Sequence, residues 1–235
     1  MTPDPVASVG RASSPPALLV TAADEQHPFD GYLAEVLLTE GYACFEHGER
    51  LGGVQAPALQ HGTAGVTHGL VIVGAGAAAQ TPPEKGEAYL RAGGKLIVFG
   101  PPDSWAPLLG LAVPGELYRT APDAYLHVKT AHPWLHHWPQ ADLQCPGQSR
   151  VFRAEGAEPL AFVAGQLGEP SIFPAVSHHH VGAGEVVAFM YDLPETLVLF
   201  QQGRPENSST GRNPDANGDG KFCADDAMAG MRDYR

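Results

Sequence analysis

The 235-residue sequence predicts an α/β fold with a doubly wound, mostly parallel sheet. Over residues 17–100, short apolar runs alternate with segments of helical periodicity, which is typical of parallel strands joined by right-handed crossovers. Each apolar run is nearly continuous, and this indicates strands that are buried on both faces. A weaker pattern over residues 101–167 predicts a short antiparallel insertion.

The elements of this fold can be placed along the chain. Five segments have the pattern of a buried strand: 17–21, 42–45, 68–73, 95–99 and 185–191. Residues 28–39 have apolar side chains at helical spacing and stop at Gly41, so they predict a helix. A second helix is expected after Thr81, a candidate N-cap that precedes two prolines, and it ends at Gly93. Residues 196–200 suit a short helix or a strand.

Composition divides the chain into three parts. Residues 1–16 contain four prolines and lack the apolar core of a signal peptide, so they predict a disordered leader. Residues 17–203 are expected to form the α/β domain, and residues 204–235 an acidic tail. The sequence contains no run of about 18 consecutive apolar residues, the length that a membrane-spanning helix requires. The default location is therefore the cytoplasm, or the exterior if the chain is part of a larger secreted protein.

Charge and cysteine content narrow the choice of partners. Fourteen basic and 26 acidic residues give a net charge of −12, which opposes binding to nucleic acid and to anionic membranes. Cys44, Cys145 and Cys223 are far apart and are predicted to be free thiols. The remaining expected partners are a small polar ligand or carbohydrate, and other domains or subunits of a larger protein.

Five motifs carry a resemblance to a known family: LLGL at 108–111, HPWL at 132–135, PAV at 174–176, GAGEVVAFMYDLP at 182–194 and QGRP at 202–205. In this order they resemble class I glutamine amidotransferase-like domains. Such domains are accessory or uncharacterised modules of bacterial proteins, related to the middle domain of some β-galactosidases. The resemblance covers residues 17–205 and implies a flavodoxin-like sheet whose active site is often degenerate.

Amidotransferase activity requires a nucleophilic cysteine on a strained turn after a central strand. Here residues 95–99 correspond to that strand, and Gly100, Pro101 and Pro102 follow it without a cysteine. Proline also lacks the backbone N–H that an oxyanion hole would use. The sequence therefore predicts a catalytically inactive module with a structural, ligand-binding or assembly role related to carbohydrates. The alternative is a hydrolase that uses a histidine-bound metal or the rim at Asp103 and Ser104.

Ligands of open α/β sheets bind beyond the carboxyl ends of the strands. Five residues are expected there as contacts for a polar ligand: Asp24, Glu25, Gly74, Asp103 and Ser104. Asp103 and Ser104 equally suit a helix cap. Trp105, Trp134 and Trp138 could stack on sugar rings or serve as buried anchors.

Histidines form a second candidate site. His178, His179 and His180 are consecutive, and other histidines lie upstream at positions 132, 136 and 137. Imidazole is a common metal ligand, but consecutive residues of an extended segment point to alternate faces, so at most two of the three can converge on one ion. The other interpretation is a set of exposed loop histidines.

Residues 215–226, DANGDGKFCADD, have the spacing of a calcium-binding loop. The loop resembles those of EF-hands and dockerins, although it occurs once and no apolar helix precedes it. Oxygen ligands are expected from Asp215, Asn217, Asp219, the Lys221 carbonyl and Asp226. The predicted cofactor is therefore Ca²⁺, and the alternative is a solvated polar turn.

Overall fold

A computed structural model describes residues 17–48, 68–115, 120–128, 132–138, 142–164 and 170–202. The chain has a mixed α/β fold with one large sheet and few helices. The predicted leader at 1–16 and the acidic tail at 204–235 lie outside the described residues. Within them, no helix is long and apolar enough to cross a membrane.

Eleven strands are described: β1 Ala17–Val20, β2 Phe45–Gly48, β3 Leu70–Val73, β4 Lys95–Phe99, β5 Leu111–Ala112, β6 Thr120–Val128, β7 Leu143–Arg150, β8 Arg153–Ala154, β9 Glu158–Ala164, β10 Pro170–Val181 and β11 Gly184–Phe189. The described α-helices are α1 Leu33–Thr39, α2 Ala75–Gln80, α3 Pro83–Arg91 and α4 Leu193–Gln202. The described residues also contain two 3₁₀ turns. The turn at Asp30–Tyr32 directly precedes α1, and the turn at Asp103–Trp105 follows β4.

The main sheet has nine strands in the order β2-β1-β3-β4-β11-β10-β9-β6-β7. The first five pair in parallel and are called here the parallel half. The last four pair with antiparallel neighbours and are called the antiparallel half. Strand β11 joins the halves because it pairs in parallel with β4 and antiparallel with β10. Strands β5 and β8 form a separate small sheet.

Helices cover both faces of the parallel half, as the continuous apolar runs predict. On one face, Leu18 and Val20 of β1 pack in a cluster that includes Leu90 of α3. On the other face, Leu19 packs with Leu33 of α1. Alternation along a strand sends neighbouring side chains to opposite faces, so an entirely apolar strand can be buried on both.

The antiparallel strands differ from the predicted short insertion. They extend the main sheet rather than forming a separate unit, and β10 alone has 12 residues. Register shifts between β10 and β9 begin at Pro170 and Pro174, positions where proline cannot donate a ladder hydrogen bond. Interrupted and partly polar strands lack a continuous apolar run, which explains why the sequence pattern understates their length.

Three local expectations are corrected. Strand β2 begins at Phe45, so Cys44 precedes the strand instead of lying in it. Residues 75–80, for which the sequence pattern predicts no helix, form α2. The N-cap of α3 is Pro82, without a side-chain hydrogen bond, while Thr81 is the C-cap of α2. Residues 196–200 lie within helix α4.

Candidate functional site

A cavity of about 350 Å³ lies at the carboxyl edge of the parallel half and is called the rim pocket. The loop after β1, the turn after β4 and the segment after β11 all contribute to its lining. Its side chains carry both signs of charge and one aromatic ring; among them are Gln26, His27, Phe29, Arg150, Asp192 and Glu195. The strand-end position matches the region where open α/β sheets bind ligands.

Asp192 is the most perturbed carboxyl group of the rim pocket. Burial raises its pKa from 3.8 to about 6, and the neighbouring carboxyls of Glu195 and Asp30 act in the same direction. The backbone N–H of Glu195 donates to Asp192 Oδ1 at 3.2 Å and partly opposes this shift. Because Thr196 N also donates to the Asp192 carbonyl, Asp192 is the N-cap of α4. The same carboxyl group therefore caps a helix and faces a cavity.

Asp30 connects the loop after β1 to helix α2 at the carboxyl edge of the parallel half. Its side chain is fully buried, and Oδ2 accepts hydrogen bonds from Ala22 N at 2.7 Å and Ala77 N at 3.3 Å. Among the described residues, Asp30 Oδ1 has no hydrogen-bond partner. A Cβ atom at Gly74 would overlap the Asp30 carboxylate, so this contact requires glycine. The sequence interpretation did not single out Asp30, because an isolated aspartate near a helix start has no distinguishing pattern.

Gly100 forms the turn after β4, the position at which the sequence resemblance implies a nucleophilic cysteine. Its φ of +50° is in the region that favours glycine, and a Cβ there would lie 2.9 Å from Ala75 Cβ. Its N–H donates to the carbonyls of Phe189 and Tyr191 at 2.9 and 3.0 Å. This donor therefore binds the exit of β11 instead of pointing toward the pocket.

The five predicted rim residues do not share one cavity, and none of them lines the rim pocket. Asp24 is exposed and accepts hydrogen bonds from the backbone of Gln26 and His27, the latter of which most strongly lowers its pKa. Glu25 is exposed, and Gly74 is buried against Asp30. Asp103 approaches the pocket through Arg150, whose Nη1 lies 3.4 Å from Asp103 Oδ1.

Ser104 lies at a different, larger cavity of about 490 Å³. Glu84, Arg91 and His179 also line this cavity. Among the described residues, no hydrogen bond joins Ser104 to a histidine or a carboxylate. The geometry that a serine hydrolase would need, with a base within hydrogen-bond reach of the hydroxyl, is therefore not assembled in this structure.

The consecutive histidines alternate across β10, as their extended conformation predicts. His178 and His180 share one face with Glu185 of β11, and the possible metal-ligand atoms of these three residues lie within 4.8 Å of one another. His179 contacts the opposite side, where it would touch a Cβ at Gly110. The Glu185 pKa is lowered mainly by its hydrogen bond to Lys95.

The tryptophans separate into two groups. Trp105 is fully buried and donates its Nε1–H to the Thr81 carbonyl at 3.0 Å, so it is a core anchor unable to reach a sugar. Trp134 and Trp138 are exposed, and the edge of Trp134 contacts His178. Cys44 is exposed, and Cys145 is buried in β7. Cys223 and the predicted calcium loop at 215–226 lie outside the described residues.

No family model and no curated protein matches the chain. The fold is similar to part of an exo-β-1,4-mannosidase from Opitutaceae bacterium strain TAV5, at 17% identity and a TM-score of 0.54, covering 85% of this chain and 34% of that one. It is also similar to part of a cold-adapted β-galactosidase from Rahnella sp. R3, at 14% identity and a TM-score of 0.51, covering 85% and 32%. The chain thus spans about a third of each enzyme.

A third similar structure is a cytoplasmic protein from Salmonella typhimurium LT2, at 13% identity and a TM-score of 0.52. The match covers 83% of this chain and 95% of that protein. The same arrangement therefore occurs both inside a larger chain and as nearly all of a smaller one. At these identities the similarities establish the fold alone.

Proposed function

We propose that this chain is a carbohydrate-related binding module without amidotransferase activity, and that its ligand occupies the rim pocket. The observation that carries the proposal is that charged groups of both signs line one cavity at the ends of the strands. Arg150 offers several N–H donors, while Asp192 and Glu195 offer acceptors. A polyhydroxylated ligand needs donors and acceptors together, because each hydroxyl group can act as either.

The aromatic lining adds a second element. Phe29 is half-buried at the pocket and packs near Tyr32, with ring centroids 6.4 Å apart. An apolar ring beside convergent polar groups is the usual composition of a small-molecule site. The C–H face of a sugar ring suits this aromatic surface, while its hydroxyl groups suit the charged side chains.

Two features support a non-catalytic role. The turn after β4 contains Gly100 and Pro101 where the family resemblance implies a cysteine, and the Gly100 N–H is already bound to Phe189 and Tyr191. That turn therefore supplies neither the nucleophile that would form a tetrahedral intermediate nor a free N–H group that would stabilise it. The similarity of this fold to a third of a mannosidase and a third of a β-galactosidase supports a module that acts beside other domains.

The proposal is tested by calorimetric titration and ligand-detected NMR with mannose- and galactose-containing oligosaccharides. Arg150→Gln and Asp192→Asn are expected to weaken binding at least about tenfold, because each removes a charged hydrogen-bonding group. Lys95→Gln is the matched control, since Lys95 is at the amino end of β4, opposite the pocket. Equal affinity in all three variants and the wild type would contradict the rim pocket as the site.

Catalysis is measured in the same preparations. Hydrolysis of a chromogenic glycoside or acetyl ester by the purified wild type, lost in Asp192→Asn, would contradict the inactive module. The expected result is saccharide binding without turnover.

A further inference from the structure

Two histidines and a glutamate converge on the surface of the β10–β11 hairpin. His180 and Glu185 are directly opposite each other across the hairpin, and His178 is two residues before His180 on the same face. The two-residue step keeps both imidazoles on one side of the strand. The hairpin turn at Gly182, with φ of +62°, fixes the register that brings Glu185 beside them.

The distances match those of ligands that share one ion. His178 Nε2 is 3.2 Å from Glu185 Oε2, and all three ligand atoms lie within 4.8 Å of one another. Two atoms bound to one tetrahedral Zn²⁺ at about 2.0 Å are about 3.3 Å apart. A hydrogen bond between His178 and Glu185 accounts for the first distance, but it does not account for the approach of His180.

The surroundings fix the orientation of these groups. His178 is only 7% exposed, and its ring contacts Trp134 and His180 edge-on, at centroid distances of 4.8 and 4.6 Å. Lys95 Nζ holds Glu185 Oε1 at 2.8 Å, which leaves Oε2 directed toward the histidines. A ligand whose rotamer is already fixed loses less entropy when an ion binds.

We propose that His178, His180 and Glu185 bind one divalent transition-metal ion, with Zn²⁺ as the probe. Two imidazoles and a carboxylate suit Zn²⁺, whereas Ca²⁺ and Mg²⁺ prefer shells of oxygen ligands. Three protein ligands leave a fourth position, and the exposed side of His180 makes that position accessible to water.

This site is distinct from the rim pocket. Glu185 is at the amino end of β11, while Asp192 follows its carboxyl end. A bound ion would connect β10 of the antiparallel half to β11 of the parallel half, at the junction of the two. Metal binding is therefore expected to raise the melting temperature without any saccharide ligand.

The experiment is a calorimetric titration of the full chain, stripped with a chelator, with Zn²⁺ alone. All proteins carry Asp215→Ala, so that the predicted calcium loop does not contribute ligands. The test variants are His180→Ala and Glu185→Gln, both at positions accessible enough to preserve the fold. The matched control is His179→Ala, which removes an imidazole from the same strand but from its opposite face.

The expected result is one Zn²⁺ per chain, with affinity reduced at least about tenfold in His180→Ala and Glu185→Gln and unchanged in His179→Ala. Co²⁺ should give visible absorption in the control and lose it in both test variants. The proposal is overturned if Zn²⁺ does not bind, or if the test variants retain the affinity of the control. A matching pattern in the Zn²⁺-dependent rise of melting temperature would supply a second, independent readout.

Discussion

The parallel and antiparallel halves of the sheet bury their side chains to different extents. Among the described residues, the largest side chains that are less than 2% exposed all pack in the two clusters of the parallel half. The apolar cluster of the antiparallel half contains none of them; its Leu126 is 5% exposed and its Val176 is 8% exposed. Meanwhile Ile172 of β10 is 71% exposed.

This difference follows from how the strands are covered. Helices on both faces exclude water from the central parallel strands β1 and β3, and each fully buried aliphatic side chain contributes about 1.5–3 kcal/mol. The antiparallel strands leave polar groups such as His180 and Glu158 at the surface, where they can bind ions or partners. The clusters of the parallel half therefore contain the largest fully buried side chains, while strands β9 and β10 of the antiparallel half expose polar side chains.

The largest expected effect compares one leucine from each half. Leu96→Ala in β4 should reduce the free energy of unfolding by about 4 kcal/mol, because the cavity it leaves is enclosed. Leu126→Ala in β6 should cost about 2 kcal/mol, because the more exposed site can relax. Urea denaturation of both variants measures the difference. Equal losses would mean that the two halves are equally well packed.

A second comparison concerns the tight carboxyl edge of the parallel half. Gly74→Ala should reduce the free energy of unfolding by about 2 kcal/mol, because its Cβ overlaps the buried Asp30 carboxylate. Gly69→Ala is the matched control, since a Cβ there has no neighbour within 4 Å, and it should change stability by less than about 0.5 kcal/mol. Thermal and urea denaturation should separate the variants. A neutral Gly74→Ala would show that Asp30 is free to move.

The third prediction concerns the pH dependence of the rim pocket. The folded-state pKa of Asp192, about 6, is above its unfolded value of 3.8, so its contribution to stability is fully present below pH 3.8 and is lost as the pH rises through 6. Asp192→Asn keeps a good N-cap residue and should remove this loss, which is on the order of 2 kcal/mol. His27, Glu195 and Asp30 act on the same carboxyl and remain in the variant.

The measurement is the difference in unfolding free energy between wild type and Asp192→Asn at pH 4 and at pH 7. The variant should gain stability relative to the wild type as the pH rises. A constant difference across this range would indicate that Asp192 titrates normally and that the pocket is more hydrated than its burial suggests.

The smallest effect is expected from Ca²⁺, because its predicted ligands belong to neither half of the sheet. The sequence predicts binding at 215–226, and millimolar Ca²⁺ should slow proteolysis between Gly211 and Asp226 while raising the melting temperature by on the order of 1 °C. Asp215→Ala should abolish both effects. Absence of calorimetric heat and of any chelator effect on cleavage would reduce the segment to a solvated acidic turn.

The sequence alone determined the parallel half to a large extent. Residues 95–99 match β4 at both ends, and α3 begins beside the prolines and ends before Gly93 as expected. A continuous apolar run indicates a strand that is buried on both faces, and proline and glycine mark the ends of helices. The positions of these strands and helices can therefore be predicted from neighbouring residues alone. The shared face of His178 and His180 was similarly local, because residues two apart on one strand point to the same face.

Tertiary structure decided the rest. The length of β10 and its place in the main sheet depend on pairing with β9 and β11, which a polar, proline-containing strand does not reveal by itself. The rim pocket brings Asp192 near Asp30, and Arg150 near Asp103, from segments far apart in the chain. The pKa of Asp192 is raised by burial and by the neighbouring carboxyls of Glu195 and Asp30, and neither the burial nor the approach of Asp30 exists until the chain has folded.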